Sequence, residues 1–322
     1  MKGMKAEMDY RMLGNTKLRV SRLCFGSLTI GPLQSRLGLE EGASVIKCAF
    51  DMGVNFIDTA ELYETYDYIR SAVKGRRGDI IISTKCYAYT RDGAEKSLEK
   101  ALRELGTDYI DIFSLHEQES ELTLKGHQEA MEYFLEAKEK GYIRCFGIST
   151  HAVAAVKASM KYKEIEVLHP IVNKRGLGII DGSIDEMLDA VAVASRGGKG
   201  IFSMKPLGGG NMINESAECF KFVLANDNLH SIAVGMQSVE EVKNNVMIFE
   251  GKRVPEDISL RLREKKRRLH IDSWCTGCGS CSKKCTQKAI TIAEGKAVVD
   301  PQKCVLCGYC SAYCPDFCIK VI

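Results

Sequence analysis

The sequence predicts an α/β protein: a (β/α)8 barrel, or TIM barrel, followed by a small cysteine-rich domain. Three observations predict this architecture. Strand-like and helix-like segments alternate over about 250 residues, the fourteen cysteines are unevenly placed, and a length of 322 residues fits one large and one small domain. A composition of 45% hydrophobic and 27% charged residues excludes a disordered or fibrous chain.

Charge and hydropathy exclude two further classes of protein. The net charge of +3 gives no reason to expect a nucleic-acid partner, and no apolar run approaches the roughly 20 residues that span a bilayer. Residues 1–11 are polar and lack the apolar core of a signal peptide. We therefore expect a cytoplasmic protein with no membrane or nucleic-acid partner, whose reduced thiols ligate metal rather than form disulfides.

Eight short, apolar, β-branched segments are predicted to be strands, each followed by a helical pattern. The predicted strands are 19–27, 55–60, 79–85, 109–116, 143–150, 166–173, 200–207 and 229–236. The helical patterns lie near 40–53, 65–75, 92–106, 126–141, 152–161, 183–198, 216–227 and 238–251. Eight such units match a (β/α)8 barrel. A doubly wound sheet is the alternative, but the G-x-G-x-x-G turn usual after its first strand is absent.

Nine of the fourteen cysteines lie between Cys275 and Cys318 and form an internal repeat. The spacing C-x2-C-x2-C-x3-C occurs twice, and each cysteine of the first run stands 29 residues before its counterpart in the second run. The first run is Cys275, Cys278, Cys281 and Cys285, and the second is Cys304, Cys307, Cys310 and Cys314. A proline follows the second run, whereas Thr286 follows the first. Cys318 lies outside the pattern, and we expect it to be a buried structural thiol.

This spacing predicts two [4Fe–4S] clusters. Thiolates are soft ligands that suit iron–sulfur clusters, and with this spacing the fourth cysteine of each run ligates the other cluster. The predicted ligand sets are Cys275, Cys278, Cys281 and Cys314 for cluster 1, and Cys304, Cys307, Cys310 and Cys285 for cluster 2. Zinc is the alternative, but four-cysteine zinc sites usually hold two C-x2-C pairs separated by a loop. Residues 271–322 resemble a bacterial two-cluster ferredoxin, which implies a small α+β domain.

A basic segment precedes the ferredoxin-like domain. Residues 261–270 (RLREKKRRLH) hold six Lys or Arg and one Glu. We interpret them as a helical connector with a solvated charged face, in preference to a nucleic-acid or partner-binding patch. The predicted domains are the barrel at 1–252, the connector at 253–270 and the ferredoxin-like domain at 271–322. The ferredoxin-like domain holds six Lys and four Asp or Glu. Because many free ferredoxins are strongly acidic and this one is not, we expect it to be docked on the barrel.

Four titratable residues stand at or just after the C-terminal ends of predicted strands. Asp58, Lys85 and His116 close the second, third and fourth strands, and Tyr63 follows Asp58 by five residues. Active sites of (β/α)8 barrels lie at this rim. Carbonyl reduction by hydride needs a proton donor at the developing alkoxide, and a nearby ammonium lowers the pKa of a phenol. A single Lys or His here is often structural, but the set of four predicts a catalytic site.

The sequence around these residues resembles the aldo-keto reductase family over roughly residues 10–250. The matching segments, in the family's order, are 53–60 (GVNFIDTA) with Tyr63, 83–85 (STK), 105–111 (LGTDYID) leading to His116, 148–150 (IST) and 204–210 (MKPLGGG). The resemblance implies that Tyr63 is the general acid, that Lys85 tunes it and that Asp58 pairs with Lys85. It also implies that His116 orients a carbonyl, because members that reduce double bonds have Glu there.

The resemblance further implies a nicotinamide cofactor extended across the barrel mouth. The implied contacts are Gly26, Ser149, His169, Met204, Lys205, Leu207, Gly208, Gly209, Ser238, Asn244 and Asn245. His169 and Met204 stand where the family often has Gln and Tyr, and a core position is an equal alternative for both. Glu241 stands near the position of an Arg common in NADP-selective members, with Lys243 as a compensating cation. The prediction is NADPH or NADH, with NADPH slightly favoured.

Three functions are compatible with this combination. The first is an enzyme that reduces an aldehyde or ketone with NAD(P)H, or runs the reverse reaction, while its clusters are structural or serve a redox partner protein. The second is an electron-transfer module in which the clusters exchange electrons with a bound two-electron carrier. A flavin would mediate that exchange, but no sequence feature specifies one. The third is a redox sensor, which would not need all four catalytic residues. We favour the first, with a small carbonyl compound or alcohol as substrate.

Overall fold

The computed structural model of the chain describes residues 7–322. Residues 1–6, the start of the predicted barrel domain and of the polar N-terminus, lie outside the described residues. A hairpin comes first, in which β1 (Tyr10–Met12) pairs antiparallel with β2 (Arg19–Ser21). Leu13 and Leu18, from its turn, pack in one buried cluster with Phe56 and other residues from the beginnings of the barrel strands. The hairpin therefore closes the N-terminal end of the barrel.

Eight parallel strands form the closed barrel, and the last pairs with the first. They are β3 (Leu23–Gly26), β4 (Phe56–Asp58), β5 (Ile81–Cys86), β6 (Ile110–Leu115), β7 (Ile143–Thr150), β8 (Val167–Pro170), β9 (Gly200–Met204) and β10 (Ser231–Gly235). The helices around them are α1 (Leu39–Asp51), α2 (Tyr66–Val73), α3 (Arg91–Leu105), α4 (Glu121–Gly126), α5 (Gln128–Glu139), α6 (Val153–Ser159), α7 (Ile184–Arg196), α8 (Ser216–Leu224) and α9 (Val239–Phe249). The predicted (β/α)8 architecture is confirmed.

The first predicted strand differs from the structure. It is split into β2, which belongs to the hairpin, and β3, which belongs to the barrel. Arg22 lies between them and is 2% exposed; its guanidinium donates hydrogen bonds to the carbonyls of Leu224, at 3.0 Å, and Leu229. Because these bonds satisfy a buried charged group, the chain turns at Arg22 from the hairpin into the barrel.

The C-terminal domain is built from two short antiparallel pairs around the cysteines. The helix α10 (Glu256–Glu264) leads to β11 (Leu269–Ile271), and then follow α11 (Ser280–Lys284), β12 (Ile290–Ala293), β13 (Lys296–Val299) and β14 (Ile319–Val321). β11 pairs with β14, and β12 pairs with β13. The 29-residue repeat is visible in the backbone, because equivalent residues share a positive φ: Gly277 and Leu306, Gly279 and Gly308, Lys288 and Phe317.

The C-terminal domain sits on the loop after β9, at the C-terminal end of the barrel. The amide of Val321 donates to the carbonyl of Gly209 at 3.0 Å, and the side-chain amide of Asn211 donates to the carbonyl of Ile319 at 3.0 Å. The two domains thus meet at the barrel rim, where active sites of this fold lie. Of the helices between residues 7 and 322, none combines the length and the apolar character that crossing a bilayer requires.

Candidate functional site

The structure brings the four predicted catalytic residues together at the C-terminal rim. Asp58 is the last residue of β4, Lys85 the penultimate residue of β5, and His116 directly follows β6. Tyr63 ends the 3-10 turn Glu61–Tyr63 that follows β4. Because parallel barrel strands end at one rim, residues far apart in sequence meet there.

Asp58 and Lys85 form a buried ion pair. The Lys85 Nζ lies 2.8 Å from both carboxylate oxygens of Asp58 and donates a third bond to the carbonyl of Thr59 at 2.6 Å. The Nε2 of His169 approaches Asp58 at 3.4 Å from another side. Burial alone would raise the pKa of Asp58, but Lys85 and His169 outweigh it and hold that pKa well below its usual range. The carboxylate is therefore ionised, and all three ammonium protons have acceptors.

Tyr63 and His116 face each other beside this pair. The phenol oxygen lies 3.5 Å from the Nε2 of His116, and the Nζ of Lys85 lies 5.1 Å from the centre of the phenol ring. Burial and the charges of Asp58 and Glu117 raise the pKa of Tyr63 well above its ordinary value, opposite to the expected effect of Lys85. Burial is the largest of these causes, and the Asp58 carboxylate offsets much of the effect of the ammonium. Tyr63 is therefore a protonated phenol, the form that a general acid needs.

His116 is held as a neutral imidazole. Burial, then the charge of Lys85, lowers its pKa well below the ordinary value, and its Nδ1 has no hydrogen-bond partner among residues 7–322. Tyr87, which the sequence analysis did not single out, stacks on its ring at 4.4 Å and donates a hydrogen bond to Glu117 at 2.6 Å. The two tyrosines at 87 and 89, just after the third predicted strand, are the sequence feature that could have placed an aromatic ring at this site.

A cavity of about 930 Å³ is lined by two of the four predicted catalytic residues, Asp58 and Tyr63, and by residues of α9. It is lined by eight of the eleven predicted cofactor contacts: Gly26, His169, Met204, Lys205, Leu207, Gly209, Asn244 and Asn245. Both nitrogens of the His169 ring have partners, because Nε2 faces Asp58 and Nδ1 lies 2.7 Å from the carbonyl of Phe202. His169 therefore has the contacts of a buried structural imidazole, which was the alternative prediction. It also lines the cavity.

The other three predicted contacts, Ser149, Gly208 and Ser238, do not line this cavity. The Ser149 hydroxyl is buried and accepts a bond from the amide of Glu117 at 2.9 Å. Ser238 caps α9 by accepting from the amide of Glu241 at 3.3 Å. Ser149 keeps one hydroxyl proton to donate, whereas Ser238 contributes by holding the helix end in place.

The C-terminal domain supplies residues to the barrel mouth that the sequence analysis missed. Lys205, at a φ of 57° just after β9, donates to the Nε2 of His151 at 2.8 Å. The Phe317 ring lies 5.1 Å from the Nζ of Lys205 and 3.8 Å from that of Lys320. Burial and the charge of Lys320 lower the pKa of Lys205 to about 7. Leu306, between two cysteines of the second run, lines the same cavity as Tyr63.

The structure groups the cysteines as the two predicted ligand sets. Cys275, Cys278, Cys281 and Cys314 line one small cavity, together with Cys318, and Cys285, Cys304, Cys307 and Cys310 line another. Backbone amides donate to the sulfurs of Cys275, Cys285 and Cys314 at 3.3–3.4 Å, as suits thiolate ligands. Cys318 is buried as expected, and its sulfur lies 3.3 Å from that of Cys314. The four-thiol sets fit [4Fe–4S] clusters, which take four cysteine thiolates.

Replacing one cysteine of either set is expected to remove one cluster. Cys275→Ser and Cys304→Ser should each lower the iron and sulfide content of anaerobically purified protein by about half, because each variant removes one ligand from one of the two clusters. The measurement is iron, zinc and sulfide analysis with electron paramagnetic resonance of the reduced protein. Cys219→Ser, at a buried thiol of α8, is the matched control and should keep all its iron. Stoichiometric zinc without sulfide in the parent protein would contradict the cluster assignment.

Two family profiles match the chain. The profile of the aldo/keto reductase family matches residues 22–218, and that of the 4Fe-4S dicluster domain matches residues 268–315. The first match spans all four predicted catalytic residues, and the second covers every cysteine of both predicted ligand sets. Both resemblances seen in the sequence are therefore confirmed.

Individual relatives match mainly the barrel. The chain is 24% identical to the uncharacterized oxidoreductase YqkF of Bacillus subtilis over 300 residues, which are 78% of this chain and 94% of that protein. It is 24% identical to L-galactose dehydrogenase of Arabidopsis thaliana over 282 residues, 74% of this chain and 88% of that protein. The holo form of aldo-keto reductase AKR11C1 from Bacillus halodurans superposes with a TM-score of 0.65 at 23% identity, covering 80% of this chain and 96% of that structure. At this identity the superposition shows a shared fold.

Proposed function

Because the chain belongs to the aldo/keto reductase family and carries a 4Fe-4S dicluster domain, we propose that it is an NAD(P)H-dependent oxidoreductase. Its reaction is the reduction of an aldehyde or ketone to an alcohol, or the reverse. The observation that carries the proposal is the grouping of Asp58, Tyr63, Lys85 and His116 in mutual contact, with Asp58 and Tyr63 lining the large cavity.

Each of the four side chains has a distinct role in this proposal. The bound cofactor supplies the hydride at the barrel mouth. Tyr63, kept protonated by burial and by the charge of Asp58, donates the proton that the developing alkoxide needs. The neutral His116, 3.5 Å from the phenol oxygen, orients the carbonyl oxygen toward Tyr63. Asp58 fixes the Lys85 ammonium beneath the phenol ring, where its charge favours the phenolate as the proton leaves.

The cavity residues fit an extended dinucleotide. Gly208, Gly209 and Gly210 all have positive φ, so the loop after β9 follows a path that residues with side chains rarely adopt. An added Cβ at Gly209 would meet the Lys320 side chain at 2.6 Å, so this part of the loop has no room for one. Backbone amides of such a loop can approach a pyrophosphate directly.

The test is a search for carbonyl turnover under anaerobic conditions. Purified protein with both clusters intact is mixed with NADPH or NADH and panels of aldehydes and ketones, and separately with NADP+ or NAD+ and the corresponding alcohols. We expect cofactor oxidation that matches alcohol formation mole for mole, as identified by mass spectrometry. Binding of cofactor without turnover of any carbonyl compound or alcohol would overturn the proposal.

A second function, electron transfer between the clusters and a bound two-electron carrier, is favoured by the position of the cluster loops. Leu306, between Cys304 and Cys307, lines the cavity, and Phe317, close to Cys314, contacts the barrel at Lys205. A hydride carries two electrons and each cluster accepts one, so this function needs a mediator such as a flavin or a redox partner protein. Anaerobic addition of NADPH, with and without free flavin as the mediator, separates the two functions: loss of cluster absorbance in either sample supports electron transfer, and clusters that stay oxidised in both count against it. For either function we propose a cytoplasmic location, where cysteine thiols are kept reduced and can ligate iron.

A further inference from the structure

The basic connector is not only a solvated helix face. α10 ends at Glu264, and Lys265 has an extended backbone with φ −59° and ψ 117°. Side chains of an extended segment alternate between two sides. Accordingly, Lys265 and Arg267 turn toward the cavity, together with Arg263 from the last turn of α10, whereas Lys266 is exposed.

These cations meet Glu241 in the first turn of α9. The Lys265 Nζ lies 2.8 Å from the Glu241 carboxylate and 3.0 Å from the side-chain oxygen of Gln237, and an Arg267 nitrogen lies 3.2 Å from the same carboxylate. Glu241 is only 12% exposed, so its charge is already paired inside the protein. The repulsion expected between Glu241 and a 2′-phosphate is therefore removed by residues outside the barrel.

The region keeps an excess of positive charge after this pairing. Three connector cations face one carboxylate, and Arg263 is exposed with no ion pair within the described part of the chain. Lys243, the compensating cation considered from the sequence, is exposed and does not line the cavity. An unpaired guanidinium at the wall of a cavity is well suited to a phosphate.

An apolar slot lies beside the cations. Ile248 on α9 and Leu262 on α10, with Val254 between the two helices, line this end of the cavity. Tyr63, Asp58 and Gly209 of the loop after β9 line the same cavity. One cavity therefore offers an apolar surface, a glycine loop and the predicted catalytic residues, which are the kinds of surface that the adenine, pyrophosphate and nicotinamide of a dinucleotide need.

We propose that Arg263 and Lys265 of the connector bind the 2′-phosphate of NADP(H), so that the segment joining the two domains sets the cofactor preference. This inference rests on the proposed nicotinamide site but not on the carbonyl chemistry. Two excess positive charges match a phosphate that carries close to two negative charges at neutral pH. NADH, which lacks this group, would leave Arg263 and the excess charge without a partner.

The test measures binding and needs no turnover. Dissociation constants of NADPH, NADH and adenosine 2′,5′-bisphosphate are measured by titration calorimetry on the anaerobic holoprotein. Arg263→Gln should weaken NADPH and adenosine 2′,5′-bisphosphate by about tenfold, the effect of one charge-assisted hydrogen bond, and leave NADH unchanged. Lys266→Gln removes the same charge from the same segment but faces solvent, and it should change none of the three.

Several results would overturn the proposal. The first is that the parent protein binds NADPH and NADH with equal affinity. The second is that Arg263→Gln weakens the binding of both cofactors equally, and the third is that it weakens the binding of neither. Lys265→Gln should act like Arg263→Gln, but it also removes the contact with Glu241, so Arg263→Gln is the decisive variant. Salt gives a measurement without mutation: the NADPH preference of the parent should fall as ionic strength rises. A protein that prefers NADPH but reduces no carbonyl would refute the proposed enzyme and leave this inference standing.

Discussion

Tyr63→Phe is expected to lower the turnover number for carbonyl reduction by about 10²- to 10⁴-fold, the usual contribution of a general acid, while NADPH still binds. The phenol is the only group of the four that is both protonated and poised to give up a proton. His116 is held neutral by burial, and Lys85 has its protons committed to Asp58 and Thr59. Removing one oxygen atom therefore removes the acid without changing the shape of the site.

Stopped-flow kinetics with the best carbonyl substrate measure this effect, and cofactor titration measures binding separately. Tyr66→Phe is the matched control, because that phenol is buried against the Thr84 hydroxyl at 2.8 Å and has no place in the proposed reaction. It should keep its turnover number with some loss of stability. Unchanged turnover in Tyr63→Phe would remove Tyr63 from the mechanism and leave the family resemblance without its expected chemistry.

The barrel and the grouping of the catalytic residues could be predicted because both follow from local signals. A strand of a closed barrel shows an apolar β-branched run, and its C-terminal end lies at a known rim, so Asp58, Lys85 and His116 were placed by strand order alone. The cysteine spacing is also a local signal, because the four cysteines of each run lie within eleven residues, and it predicted both ligand sets. Short-range patterns therefore predicted long-range neighbours through the regularity of the fold.

The parts that could not be predicted depend on side chains that meet across the domain boundary. No periodicity indicates that Phe317 packs against Lys205, or that Lys265 pairs with Glu241, because the docking of the two domains decides both. The pKa of Tyr63 was misjudged for a related reason. The sequence places an ammonium near the phenol, but only the structure shows that Asp58 has already neutralised it and that burial outweighs what is left. Charge counts along a chain do not include desolvation.

Replacing Asp58 or Lys85 alone should lower the free energy of unfolding more than replacing both together. Lys85→Met leaves the Asp58 carboxylate buried without its partner, and Asp58→Asn leaves the ammonium unpaired. Each is expected to lower the free energy of unfolding by about 3–5 kcal/mol, the usual cost of breaking a buried ion pair. The double variant removes both charges and should recover most of that loss, because no uncompensated charge is left in the buried site.

Activity should not follow this recovery. The double variant has a folded barrel but no ammonium beneath Tyr63, so we expect its turnover to stay as low as that of Lys85→Met. Chemical denaturation of the anaerobic holoprotein measures stability, and steady-state kinetics on the same samples measure turnover. Lys96→Met, which breaks an exposed pair with Asp92 on α3, is the control and should change neither. If turnover returned with stability in the double variant, the pair would only hold the barrel rim together, and Tyr63 would donate its proton without help from Lys85.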